Sequence, residues 1–125
     1  MIFGIGTDIV AIKRMAELWQ RHGERALQKI LAPDEHADCI ASQDPARVLA
    51  KRFAAKEALG KALGTGIRSP LVLPEISVTH DALGKPGFAF SPSLAAYFAQ
   101  RNITAHLSIS DEHDYAVAFV LLETP

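Results

Sequence analysis

The spacing of apolar residues changes along the chain, and each change marks a new element. Met1–Ile12 sets Ile, Phe and Val around Gly4 and Gly6 and reads as a strand. From Lys13 to His22 the spacing becomes helical, with Met15, Leu18, Trp19 and His22 on one side and Gly23 as the stop. Met15, Trp19 and His22 are expected to pack inward. A short helix follows over Glu24–Leu31, and Pro33 suits the first position of another that reaches about Ala41. The strongest helical signal runs from Pro45 to Leu63, rich in Ala, Leu, Lys and Glu. Gly64 is placed to end it, and GTG at 64–66 reads as cap and turn.

The second half has a period of two. Ile76, Val78 and His80 alternate with Ser77 and Thr79, DALGKPG at 81–87 is a turn, and a short strand follows through Phe88 and Phe90. Pro92–Arg101 is an amphipathic helix. Thr104–Ser110 and Tyr115–Leu122 form a strand pair joined by a polar loop. Neither a repeat nor a flexible linker interrupts the 125 residues, so a single domain over 1–125 is expected. Its class is α+β, with an N-terminal strand and helices followed by a largely antiparallel sheet.

Composition narrows the function classes. Apolar residues make up 49% and charged residues 22%, values of an ordinary folded domain. A net charge of -1 argues against general nucleic-acid binding, which needs a basic excess. The longest apolar run, Ala116–Leu122, is too short to span a bilayer, so no membrane partner is expected. Asp8 breaks the N-terminal apolar stretch too early for a signal peptide, and Cys39 has no second cysteine to pair with. The expected location is the cytoplasm.

Two features of the pattern point to chemistry. Asp8 sits near the end of a glycine-flanked strand, where it is either a turn aspartate or a ligand. The glycines before it would let a bound molecule approach the backbone. On the helix at 45–63, the apolar arc of Val48, Leu49, Phe53, Leu59 and Leu63 also contains Arg52 and Lys56, while Glu57 and Lys61 sit just beside it. Such charges are either solvated pairs and snorkelling cations, or parts of a site. Asp8 and Glu57 from two elements could share one Mg²⁺, which takes one or two carboxylates plus phosphate oxygens. Arg52, Lys56 and Lys61 could balance a polyphosphate, and the Gly64–Gly66 turn could add N–H donors. His36, Asp38 and Cys39 match no zinc spacing. Ser77, Ser108 and Ser110 lack a nucleophile elbow.

GIGTDIVAIKRM at 4–15 and KRFAAKEALGKALGTGI at 51–67 resemble the two signature segments of the holo-(acyl-carrier-protein) synthase family. The likeness continues through DALGKP at 81–86, HLSIS at 106–110 and YAVA at 115–118, and so covers nearly the whole chain. Some members have His after the HLSIS-type strand, where this chain has Asp111. The resemblance implies a homotrimer with sites between subunits, and transfer of the phosphopantetheine arm of coenzyme A to a serine of acyl carrier protein for fatty acid biosynthesis. By position, Asp8 and Glu57 match the family's metal ligands. Glu57 is then the expected base and Lys61 the expected stabiliser of the leaving phosphate, with Lys56 or Arg52 nearby. Lys85 and His106 are expected at the nucleotide end. Arg14, Leu18 and Arg21 form a stripe suited to the acidic surface of the carrier. A binding module without transfer activity, for nucleotide or for carrier protein, would use the same residues.

Overall fold

The computed structural model describes all 125 residues. Strand β1 covers Ile2–Ala11, and helices α1 and α2 cover Ile12–His22 and Glu24–Ile30. A 3₁₀ turn at Pro33–Glu35 leads into α3, His36–Ala41, so the helix expected from Pro33 is split. Helix α4, Pro45–Leu63, starts at the Asp44 cap, whose carboxylate accepts from the Arg47 N–H, and ends at Gly64 with φ 88°. Strands β2 (Ile76–His80) and β3 (Pro86–Phe90) form a hairpin, followed by α5 (Pro92–Gln100), β4 (Thr104–Asp111) and β5 (Tyr115–Glu123).

The strands pair antiparallel throughout, but they do not make one C-terminal sheet. β1 returns to the edge of β5, giving the order β1-β5-β4, while β2-β3 stands as a separate ribbon. One apolar cluster of 25 buried residues runs from Val10 to Leu122, centred on α4. The reason is steric. Gly4, Gly6, Asp8 and Val10 share the face of β1 that lies on α4. A Cβ added at Gly4 would fall 2.0 Å from the Ala62 carbonyl oxygen, and one at Gly6 would fall 2.1 Å from that of Ala58. The glycines therefore admit a helix backbone, where the sequence suggested a ligand.

α4 is buried on more than one side, with Ala54, Ala55, Ala58 and Ala62 against its neighbours, which is why Arg52 and Lys56 are not solvated. Lys56 is fully buried and donates to the carbonyl oxygens of Ile30 (2.8 Å) and Leu73 (3.1 Å) and to Glu35 Oε1. Glu35, 2% exposed, also accepts from the backbone N–H groups of Ala32 and Val78. Arg52 reaches Glu35 and Asp38 at 3.5 Å each. Burial pushes the Lys56 ammonium down from its ordinary value, and the Glu35 carboxylate opposes that shift. Breaking such a buried pair typically costs about 3–5 kcal/mol.

The other face of the three-stranded sheet has no cover. Phe3, Ile5 and Ile9 of β1 and Tyr115, Val117 and Phe119 of β5 are exposed there. On α1, which begins at Ile12 and not at Lys13, Met15 is buried as the pattern required, Trp19 is half-buried, and His22 faces solvent instead of the core.

The contact between β1 and α4 predicts a sharp result for Gly6→Ala. The added methyl meets backbone and not a side chain tip, so the variant should lose stability at the upper end of the roughly 1–3 kcal/mol seen for overpacking. Urea denaturation measures this, and an unchanged midpoint would show that the strand and helix are not held at this distance.

Candidate active site

The close contact sets the geometry of the functional side chains. Asp8 lies two residues beyond Gly6 on the same face of β1, and Lys61 lies one turn after Glu57 on α4. Lys61 Nζ crosses to the strand, donating to Asp8 Oδ1 (3.1 Å) and to the Thr7 carbonyl oxygen (3.0 Å). The pair expected along the helix, Glu57 with Lys61, is not the one that forms. The Asp8 side chain is 17% exposed and that of Lys61 is 55% exposed, so the group sits at a rim that solvent reaches.

Glu57 is held under tension. Burial pushes its carboxyl above the ordinary range, and the charge of Asp8 pushes it further, while Lys61 and Arg14 pull it back. Arg14 is held on α1 with its guanidinium carbon 5.5 Å from the centroid of the Phe53 ring. Two carboxylates from different elements, with an ammonium beside them, suit a hard dication and its phosphate partner. No third His, Cys, Asp or Glu joins them in a metal-binding cluster.

Several expected residues lie elsewhere. Lys56 is turned into the core onto Glu35 and cannot reach a ligand at this rim, which corrects its assignment. Arg52 also points inward, and lines a separate cavity of about 200 Å³ with Lys51 and His80. The Gly64 N–H donates to the carbonyl oxygens of Gly60 and Lys61, and the Gly66 N–H to that of Gly60. Both donors are engaged in closing the helix, at the end whose dipole repels anions, so neither is free for phosphate. Lys85 is exposed in the turn of the β2–β3 hairpin. His106 projects from the uncovered face of the sheet, opposite to Asp8, and meets Glu123 at 3.0 Å. Asp111, where some relatives carry His, accepts from Arg47 (2.9 Å) and faces Lys51 (3.6 Å), tying the β4–β5 turn to α4.

Arg14, Leu18 and Arg21 keep their stripe: both arginines are exposed and Leu18 is half-buried. Beside the stripe opens a groove of about 580 Å³ lined by Arg14, Leu18, His22, Arg25, Lys29 and Phe53 among others. Sequence reasoning missed Arg25, Lys29 and Phe53 here, because the groove forms only where α1, α2 and α4 meet. It also missed Glu35, an acidic residue in a turn whose sequence carries no mark of burial.

An α+β domain that presents paired carboxylates and an ammonium beside a basic, partly apolar groove has the layout of an enzyme handling a phosphate-bearing substrate with a macromolecular partner. Comparison with known proteins gives the family. Residues 4–120 match the 4'-phosphopantetheinyl transferase superfamily, and the chain belongs to it. It is 58% identical over 123 residues to the holo-[acyl-carrier-protein] synthase of Dechloromonas aromatica (strain RCB), covering 98% of each chain. The crystal structure of the corresponding synthase from Neisseria meningitidis superimposes with a TM-score of 0.94 at 46% identity, covering 99% of this chain and 100% of that one. A Bacillus anthracis synthase in complex with CoA (3',5'-ADP) gives 0.83 at 34% identity, covering 100% and 99%.

The tension on Glu57 has a pH signature. Its folded value lies above its unfolded value, so its contribution favours the fold at pH below the ordinary carboxylate range and is lost as pH rises through the raised value. Glu57→Gln removes a charge that costs the fold at neutral pH. With a chelator present, the variant should melt above wild type at about pH 8 and converge with it near about pH 3, where both side chains are neutral. Thermal denaturation across that range checks the sign, and a lower Tm at pH 8 would refute it.

Proposed function

We propose that the protein transfers the 4'-phosphopantetheine group of coenzyme A to a serine of apo acyl carrier protein, releasing adenosine 3',5'-bisphosphate, in fatty acid biosynthesis. The observation that carries this reading is the Asp8–Glu57–Lys61 group at the rim, in a chain of this family. The core running from Val10 to Leu122 supports residues 1–125 as one transferase domain.

Asp8 and Glu57 are the residues that would hold Mg²⁺. When bound, the ion supplies charge neutralisation for the pyrophosphate and its leaving group. The chain's own groups carry the rest. The serine hydroxyl attacks the β-phosphorus of coenzyme A, and its proton passes to the Glu57 carboxylate, directly or through a water. The bond from that phosphorus to the bridging oxygen breaks, and adenosine 3',5'-bisphosphate leaves with the electron pair. Lys61, flexible and solvent-reaching, stabilises the charge gathering on the leaving phosphate. Lys85, exposed in the hairpin turn, remains a candidate for the anionic nucleotide end, whereas Arg52 is engaged with Glu35 and Asp38.

The uncovered sheet face supports self-association, since Phe3, Ile5, Ile9, Val117 and Phe119 form a contiguous apolar surface. A homotrimer is the assembly the resemblance implies. His106 projects from this face, so any contact it makes with nucleotide is made toward a neighbouring copy. No helix is long and apolar enough to cross a membrane, and free, buried Cys39 suits a reducing compartment; we place the enzyme in the cytoplasm. Light scattering over micromolar dilution should report a trimer, and a stable, fully active monomer would contradict the assembly.

The chemistry is tested by mass. Apo carrier protein incubated with coenzyme A, Mg²⁺ and this protein should gain about 340 Da, the mass of the transferred group. Asp8→Asn and Glu57→Gln should each lose at least about 10²-fold in kcat/KM while staying folded. Absence of the mass gain in wild type would favour a coenzyme A-binding module instead, and near-normal activity of Glu57→Gln would remove it as base.

Arg14, Leu18 and Arg21, beside the basic groove, form the surface on which the acidic carrier docks. Reversing both charges, Arg14→Glu and Arg21→Glu, replaces attraction with repulsion and should cost roughly 2–3 kcal/mol of binding. Carrier KM should then rise by tens-fold, and Arg21→Glu alone should raise it while leaving coenzyme A affinity nearly unchanged. In wild type, carrier KM should climb with salt, because these charges are screened within about 8–10 Å. An unaltered carrier KM in the double variant would place docking elsewhere.

A further inference from the structure

Lys61 and a divalent ion have use for the same oxygens. The ammonium already holds Asp8 Oδ1 and the Thr7 carbonyl oxygen, at 3.1 and 3.0 Å. A carboxylate and a carbonyl are the ligands a hard cation would choose there. The Asp8 side chain is only 17% exposed, which leaves little space for two cations on one carboxylate. Lys61 can yield the position, because its side chain is 55% exposed and rides on a flexible four-carbon stem. It will yield only for a partner of comparable charge, and the phosphates of coenzyme A are such a partner.

We propose that Lys61 competes with the metal ion for Asp8 and thereby couples metal loading to coenzyme A: each ligand binds weakly while Lys61 holds Asp8, and strongly once Lys61 has moved to phosphate. This rests on the reading of Asp8 and Glu57 as the metal pair. It adds a role for Lys61 ahead of the chemical step. By linkage the effect is reciprocal, so coenzyme A raises Mg²⁺ affinity by the factor by which Mg²⁺ raises that of coenzyme A. A protein built this way binds the metal mainly as part of its substrate complex.

The test is binding, without carrier protein and without turnover. Mg²⁺ alone is titrated by calorimetry into wild type, Lys61→Met and Lys61→Gln, and the titrations are repeated at saturating coenzyme A. The side chain is largely exposed, so both variants should fold, which circular dichroism checks; two replacements guard against a local defect in either. Both neutral variants should bind Mg²⁺ alone about tenfold more tightly than wild type, since one positive charge next to the ion has gone. The gain in Mg²⁺ affinity brought by coenzyme A should shrink by about the same factor. Equal or weaker binding of Mg²⁺ alone by both variants overturns the competition. Wild type that fails to bind Mg²⁺ even with coenzyme A, or Asp8→Asn that binds it as wild type does, overturns the metal pair itself and this inference with it.

Discussion

The contact between β1 and α4 is the constraint on which the rest of the structure depends. Strand and helix touch backbone to backbone at Gly4 and Gly6, because the positions where side chains would stand are filled by the Ala62 and Ala58 carbonyl oxygens. A helix on a sheet normally leaves room for two layers of side chains. Here that gap is closed, and Asp8, on the same strand face, is carried to the flank of the helix. The stem of Lys61 is long enough to reach it only because the backbones are this close.

α4 divides its charges between two environments. Toward the core, Lys56 and Arg52 converge on Glu35, whose oxygens also accept from Ala32 and Val78. That carboxylate binds together the turn before α3, the long helix and the β2–β3 ribbon, and every buried polar side-chain atom has a partner. Toward the rim, Glu57 and Lys61 meet Asp8 with solvent access and without full compensation. The first arrangement is closed and structural. The second is open, and under the proposed function a cation and a phosphate would supply the missing compensation.

Substrate and partner approach from different elements, and one residue joins them. Arg14 belongs to the exposed stripe of α1, lies over Phe53, and pulls on the ionisation of Glu57. The surface proposed for the acidic carrier is therefore continuous with the edge of the Asp8–Glu57–Lys61 group. On the opposite side, the apolar face of β1 and β5 is uncovered, and His106 projects from that face away from its own Asp8.

Nearly every element was legible in the sequence, because periodicity reports which faces are apolar: α4 ran from Pro45 to Leu63 as its proline and glycine signals required, and the alternation at 76–80 marked β2. The motifs around Asp8 and at Phe53–Ala62 also gave the family, since their residue types and order are specific to it. Tertiary structure alone decided which charges were free. A helical wheel assumes one buried arc, and α4 is buried on several sides, so it could not separate Lys56, neutralised by a distant Glu35, from Lys61, which reaches across to Asp8. Nor could it show that Gly4 and Gly6 admit a helix. Those outcomes depend on which backbone approaches which, over separations of some 20 to 60 residues, and local pattern carries no record of such distances.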